Sequence, residues 1–233
     1  MGKNLTKVSV LMSTYNSELN VANSIESILE QTYKNIEFLI IDDCSTDNTF
    51  TILQEYSKNH ENIQVFKNEI NIGLTKSLNF LISKSSGDYI ARQDDDDASY
   101  PNRIKTQVDL LQNSKIGFCT TRALTKPKKR KIPGISYYFP TKLLLKYKNP
   151  FIHGSLMCKK EILISVGGYD EDFYYSQDLK LIIDLIQNGN KYKIINKLLY
   201  VLNTQNNISE KKFNEQQYYA DCARKGIKPK LVI

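Results

Sequence analysis

Four aspartates in unbroken succession, Asp94-Asp95-Asp96-Asp97, form the densest set of chemically capable side chains in this sequence. Like charges a few ångströms apart repel by roughly 1 kcal/mol in water and by about 4 kcal/mol at an effective dielectric near 20. A hard divalent cation such as Mn or Mg would relieve that repulsion. In an extended segment Asp94 and Asp96 point one way and Asp95 and Asp97 the other, so one carboxylate can take a cation while its neighbour accepts from a hydroxyl. A solvated acidic turn ahead of a helix opening at Pro101 would use the same residues, with Ser99 able to cap that helix alone. Two further polar sets stand at comparable places, Ser13-Thr14-Tyr15-Asn16 and Asp42-Asp43. The aspartate pair is surplus to helix capping, because Ser45, Thr46 and Asp47 already supply capping groups.

Each set follows a segment that predicts a strand, the first two as short apolar runs over residues 8–12 and 36–41 and the third over residues 88–92. Between these runs Val21, Ala22, Ile25, Ile28 and Leu29 recur at helical spacing, as do Phe50, Leu53 and Tyr56, and again Leu74, Leu78, Leu81 and Ile82. Residues 63–66 supply another strand. Pro101 suits the first turn of a helix carrying Ile104, Val108 and Leu111, and residues 116–121 close this half. Strands alternating with amphipathic helices predict an α/β fold, a Rossmann-like, mostly parallel sheet flanked by helices, with the three polar sets converging at the carboxyl ends of its strands. Past residue 122 the rhythm breaks. A strand near 155–158, a helix over 176–188, a hairpin-like pair over 192–201 and a polar helix from about Ser209 are expected. The organisation is one domain in two halves, 1–122 and 123–208, followed by a helical tail, 209–233.

Composition narrows the classes available. The 233 residues carry 32 Lys+Arg against 25 Asp+Glu, a net charge of +7, yet no residue between Asp109 and Glu161 is acidic while twelve are basic. No apolar stretch approaches the roughly 20 residues of a spanning helix. Residues 1–7 lack the apolar run of a secretory signal, and Cys44, Cys119, Cys158 and Cys222 are scattered with no CxxC pair. A reducing cytoplasmic setting is expected, and zinc-finger and disulfide-scaffold readings fall away. With His60 and His153 the only histidines, a metal site would be led by carboxylates. Lys128-Lys129-Arg130-Lys131 has the composition of a nucleic-acid patch, but no aromatic residues are interleaved for base stacking. No nucleic acid is expected. The basic stretch 122–148 reads on composition alone as a solvated loop.

Five blocks occur in order: "VSVLMSTYNSELNVANSIESILEQTYKNIEFLIIDDCSTDNT", "NIGLTKSLN", "GDYIARQDDDDASYPNR", "HGSLMCKKEIL" and "VGGYDEDF". Together, over about residues 8–189, they resemble the family 2 glycosyltransferases of the GT-A fold. The resemblance implies transfer with inversion of a hexosyl or N-acetylhexosaminyl group from a UDP-sugar, in the presence of a divalent cation, to a hydroxyl of a glycan or lipid-linked acceptor. Residues 1–122 would then bind the nucleotide sugar, and residues 123–208 the acceptor. By position Ser13 and Tyr15 would hold the base, Asp43 its imide, Lys76 the base or diphosphate, Asp94 and Asp95 ribose and sugar hydroxyls, and Asp96 the metal. Asp178, in "YYSQDLKL", falls at the family's catalytic-base position, in the first turn of its helix, where the macrodipole favours the ionised form; capping that helix is its structural alternative. His153 would contact acceptor or diphosphate or else be a core histidine. In such a family the basic stretch 122–148 would be a face for anionic membrane or a charged glycan, and Tyr137-Tyr138-Phe139 an acceptor groove or a mobile loop. Three departures stand out. Cys44 replaces a usual glycine, Gln177 stands where an acidic residue commonly precedes the base, and "VLNTQNNIS" lacks the histidine that many relatives carry near Thr204.

Two rival classes share the plan. A sugar-phosphate nucleotidyltransferase usually carries a glycine-rich basic loop after the first strand, whereas Ser13 to Asn16 contain no glycine. A catalytically silent glycan-binding or membrane-associated module would keep the fold but show no Mn-dependent affinity for UDP.

Overall fold

The computed structural model describes residues 6–205 and 212–230. Its first half is a parallel sheet ordered β3-β2-β1-β4, built from β1 (Val8–Thr14), β2 (Ile36–Asp42), β3 (Ile63–Lys67) and β4 (Tyr89–Arg92). Helices α1 (Val21–Leu29), α2 (Thr49–Asn59), α3 (Leu74–Lys84) and α4 (Arg103–Gln112) cover it. The strands are apolar at successive positions because both faces are buried. Val10, Met12, Phe38 and Ile40 pack with Ile25, Leu53 and Ile104 on one side, and Leu11, Leu39 and Ile41 pack with Leu78, Leu81 and Ile82 on the other. Thr49 and Leu53 are the buried residues of α2, while Phe50, expected to face inward, lies under the Lys67 ammonium, 4.2 Å from its ring centroid.

Beyond β4 the sheet turns antiparallel. β8 (Met157–Lys159) pairs antiparallel with both β4 and β6 (Phe118–Lys126), and β9 (Tyr192–Asn203) runs parallel to β6. The two-residue β7 (Lys131–Ile132) pairs with β6, and β5 (Ala98–Ser99) lies on the far side of β9. The hairpin-like pair expected over 192–201 is therefore one strand. Its polar Asn196-Lys197 interruption is a bulge, since the register jumps from Thr121 opposite Ile195 to Arg122 opposite Leu198, and Arg122 Nη1 donates to Asn196 Oδ1 at 2.8 Å. Short helices α5 (Thr141–Leu144) and α6 (Lys160–Ser165) flank this half, with α7 (Gln177–Gln187) and α8 (Phe213–Lys225) packed together. The expected start of the tail near Ser209 lies outside the described residues, and α8 begins at Phe213.

Five residues separate β4 from β5, yet β8, β6 and β9 lie between them in the sheet. Four strand spacings of flat sheet would need roughly 19 Å, more than a segment that turns back on itself can span. The sheet curls, and the aspartate run sits where the curl brings its two ends together.

Candidate functional site

A cavity of about 520 Å³ opens at the carboxyl ends of β1 and β2. Ser13, Thr14 and Tyr15 line it from the end of β1, and the Tyr15 ring is 49% exposed. Asp43, one residue past β2, is buried but also reaches the cavity. Its Oδ1 accepts from Asn68 Nδ2 at 2.7 Å and the Ile72 amide at 2.9 Å, and its Oδ2 accepts from the Gly73 amide at 2.8 Å. A carboxylate has about four acceptor positions, so one remains, on Oδ2. Gly73 is required at its place. It holds φ +86°, and a Cβ there would come within 3.3 Å of the Tyr174 ring.

The four aspartates form a turn rather than the extended segment expected, with the Asp97 amide 3.4 Å from the Asp94 carbonyl. Their side chains consequently diverge in four directions. Asp94 Oδ1 pairs with Arg92 Nη2 at 2.5 Å, and the Asp94 amide donates to Tyr200 Oη at 3.2 Å. Asp95 faces Thr14, Ser17 and the Tyr15 amide and lines the cavity. Asp96 lines a neighbouring cavity of about 440 Å³, with Asn20, Asn23, Lys126 and Asn203. Asp97 is buried, and its Oδ1 accepts from the Asn203 amide at 2.7 Å. Burial, together with the other aspartates, raises the carboxyls of Asp95 and Asp97 and pushes Asp96 up to about 7.

Among the described residues the turn's ion pair is the one with Arg92, so most of its repulsion is uncompensated by protein. Asp95 and Asp96 are hard oxygen donors, and Mg or Mn suits that chemistry. Among the described residues no three His, Cys, Asp or Glu side chains gather as a metal cage. Because Asp95 and Asp96 face different cavities, one carboxylate alone would be the protein's donor to a cation that keeps phosphate oxygens and water in its shell.

Behind the turn lie two buried arginines. Arg92 Nη1 donates to the Leu11 carbonyl at 2.6 Å. Arg103 Nη1 donates to the carbonyls of Arg92, at 2.8 Å, and Gly154, at 2.9 Å. Gly154 has no room for a side chain, because a Cβ would overlap Tyr200 Oη and Asp94 Oδ2.

The opposite wall comes from the second half. Tyr174, Tyr175, Ser176 and Gln177 lead to Asp178 in the first turn of α7. Asp178 Oδ2 accepts from Asn149 Nδ2 at 2.8 Å. Ser176 adopts a left-handed φ of +53°, and its Oγ donates to the Gln216 carbonyl of α8 at 2.9 Å. Gln216 itself reaches the cavity. His153, in a 3₁₀ turn over His153–Ser155, has Nε2 2.7 Å from Tyr169 Oη. Burial and the Arg92 charge push its pKa down against the opposing pull of Asp94 and Asp178, which favours the neutral ring.

One cavity thus gathers Ser13, Tyr15, Asp43, Asp95, His153, Gln177 and Asp178. Three expected residues lie outside its lining. Asp94 is held back by Arg92, Asp96 turns to the adjacent cavity, and Lys76 is exposed on α3. Sequence reasoning missed Asn149, Tyr174, Ser176 and Gln216. The first and last act across 29 and 40 residues of chain, which leaves no local pattern, whereas Tyr174 directly adjoins a quoted block.

Comparison with known proteins follows the same lines. The family model "Glycosyl transferase family 2" matches residues 9–167. EpsE of Bacillus subtilis (strain 168), described as a glycosyltransferase, is 37% identical over 170 residues, covering 70% of this chain and 60% of EpsE. The chain thus spans part of that relative's length. WfaP of Escherichia coli, named as a UDP-Glc:alpha-D-GlcNAc-diphosphoundecaprenol beta-1,3-glucosyltransferase, is 29% identical over 215 residues, covering 89% of this chain and 82% of WfaP. Among solved structures, residues 1–349 of S. aureus TarS in complex with UDP superpose with a TM-score of 0.76 at 20% identity, covering 96% of this chain and 67% of that one. The mannosyltransferase PcManGT of Pyrobaculum calidifontis, solved with GDP-Man and Mn2+, gives 0.75 at 18% identity, covering 96% of this chain and 66% of that one.

Proposed function

Because the chain belongs to glycosyl transferase family 2 and has the GT-A fold that its motifs predicted, we propose that it transfers a sugar from a UDP-sugar to a hydroxyl of a glycan or lipid-linked acceptor, with inversion, in the synthesis of surface polysaccharide or glycoconjugate. The observation that carries this reading is the single cavity shared by Tyr15 and Asp43 on one wall, Asp95 on its floor and Asp178 on the other wall. In the proposal Tyr15 stacks on the base, and the free position on Asp43 Oδ2 accepts the imide N–H of uracil. Ser13 and Asp95 take base and ribose hydroxyls. Asp94, fixed by Arg92, shapes the turn and reaches the sugar only if the turn adjusts, and Lys76 adds positive charge at the rim.

An alcohol is a poor nucleophile, and inversion needs a carboxylate opposite the leaving diphosphate. Asp178 is that base, oriented by Asn149 in the first turn of α7. Asp96 would hold the divalent cation, which when bound offsets charge on the diphosphate, once the turn adjusts to bring its carboxylate from the adjacent cavity to the donor. Gln177 and His153 stand beside the base, as contacts for acceptor or diphosphate.

Relatives support the donor and acceptor classes. TarS has been solved with UDP and with UDP-GlcNAc, and the names of WfaP and of WfgD, both of Escherichia coli, specify glucosyl transfer to a diphosphoundecaprenol-linked sugar. No helix among the described residues is long and apolar enough to cross a membrane, and Cys44, Cys119, Cys158 and Cys222 are free thiols. A cytoplasmic setting at the inner face of a membrane fits both facts.

A panel of nucleotide sugars with Mn, read by released nucleotide, tests the proposal. Asp178→Asn should lower turnover by about 10²- to 10⁴-fold while leaving UDP affinity by calorimetry within a few-fold. Asp96→Ala should abolish the Mn-dependence of that affinity. Undiminished turnover in Asp178→Asn would remove the base assignment, and glycan binding with neither Mn-dependent affinity for UDP nor turnover on any donor would favour the silent module.

A further inference from the structure

Residues 135–148 form a surface that the transfer site does not use. Two of their side chains anchor the segment. Tyr137 lies under the Arg122 guanidinium, 5.2 Å from its ring centroid, and Leu145 is buried, its carbonyl accepting from Arg224 Nε of α8 at 3.0 Å. The large apolar side chains around them point the other way. Ile135 is 81% exposed, Tyr138 74%, Phe139 53%, Leu143 49% and Tyr147 75%. Tyr138 and Phe139, expected to line an acceptor groove or a mobile loop, stand outside the cavity lining. Single exposed apolar residues are ordinary on a protein surface. Five within thirteen positions, held outward by an anchored backbone, mark an interaction surface.

The charge of the same segment identifies the partner. Lys142, Lys146 and Lys148 are exposed between the apolar side chains, and no acidic residue occurs from 110 to 160. A second copy would present the same positive face and be repelled. Aromatic and aliphatic side chains interleaved with lysines are the combination that inserts at a lipid headgroup boundary while the ammonium groups meet anionic phosphates. The surface also leads directly to the transfer site, since the residue after Lys148 is Asn149, whose amide holds the Asp178 carboxylate.

We propose that the face formed by residues 135–148 docks on an anionic lipid bilayer and thereby sets Asp178 towards an acceptor held in that bilayer. This inference rests on reading the Asp178 cavity as the transfer site. Docking is reversible and peripheral, driven jointly by the exposed aromatics and the lysines, and it weakens as salt screens the charge.

Flotation of the full chain with phosphatidylcholine vesicles, with and without phosphatidylglycerol, tests it. The chain should float with the anionic vesicles only, and less at high salt. Lys142→Gln, Lys146→Gln and Lys148→Gln together should lower partitioning about 100-fold, at about fivefold per lysine. Tyr138→Ser, Phe139→Ser and Tyr147→Ser together should also release the chain. Both sets are at exposed positions, so their thermal unfolding and their nucleotide release with a soluble acceptor should match the parent chain. The docking inference is overturned if the parent chain does not float, if it floats equally with neutral vesicles, or if either variant binds as the parent does. Loss of nucleotide release from the parent chain, with anionic flotation intact, would overturn the transfer reading instead.

Discussion

The Gly154 carbonyl accepts from the guanidinium of buried Arg103, and the residue leaves no space before Tyr200 and Asp94. Gly154→Ala must push the Asp94 carboxylate or the fully buried Tyr200 ring aside. Overpacking of this kind costs about 1–3 kcal/mol, so its thermal midpoint should fall, and calorimetry should show weaker UDP binding because the aspartate turn has moved. A melt and an affinity equal to those of the parent chain would mean that the turn is softer than its contacts imply. At this scale the carboxylates were legible, because like charges in succession demand a reason. Their individual duties were not. Residue types reveal how many lone pairs Asp43 has, but not that three of its acceptor positions are taken by Asn68, Ile72 and Gly73. Nor does spacing reveal that the Asp94 to Asp97 segment turns, which sends Asp95 and Asp96 to different cavities.

Helix α7 begins from a residue in an unfavourable backbone region. Ser176, left-handed without being glycine, is held there by its hydroxyl on the α8 carbonyl of Gln216. Ser176→Ala keeps the strain and loses the hydrogen bond, at about 1 kcal/mol. Ser176→Gly loses the same bond but relieves roughly 1 kcal/mol of left-handed strain, so its melting temperature should stay near that of the parent chain. If both variants melt alike, the strain is not stored at this residue. Turnover should fall in both, because the clamp that aligns the Asp178 turn with α8 is gone. The parallel strands and the first helices were legible because strands buried on both faces read as continuous apolar runs and helices as one-sided stripes. β9 was not, because a bulge containing Asn196-Lys197 imitates a hairpin turn. The packing of α8 against α7 was hidden for another reason: it depends on contacts between distant parts of the chain, such as Phe173 and Tyr175 with Tyr219.

Across the whole molecule, Glu37 ties together the segments that begin the fold. Its carboxylate accepts from Ser9 Oγ at 2.5 Å, from the Ser86 amide and hydroxyl at 2.6 Å each, and from the Gly87 amide at 3.1 Å, and it pairs with Lys7 at 2.7 Å. Burial alone would raise this acid, but these partners outweigh it and hold it at about 2 instead of 4.5. A lowered folded-state value stabilises fully above the unfolded value, and that stability is lost as pH falls from about 4.5 towards about 2. The contribution at neutral pH is on the order of 2–3 kcal/mol. Glu37→Gln should lose that amount at pH 7, and its stability should change less than that of the parent chain through the acid window, as read by denaturant titrations at stepped pH. Parallel pH profiles would show that other carboxylates govern acid unfolding.

The hold of Asp43 on the Ile72 and Gly73 amides has a consequence for how a polyanionic leaving group can be accommodated. Many folds of alternating strands and helices seat phosphates on the exposed amides where a helix begins. Here the start of α3 already faces an aspartate of its own, so its electrostatic welcome is spent internally. In the proposed transfer, countercharge for a departing diphosphate would therefore come from Lys76 at the rim and from a cation that arrives with the nucleotide or leaves with it, and exchange of cation and nucleotide should be kinetically linked.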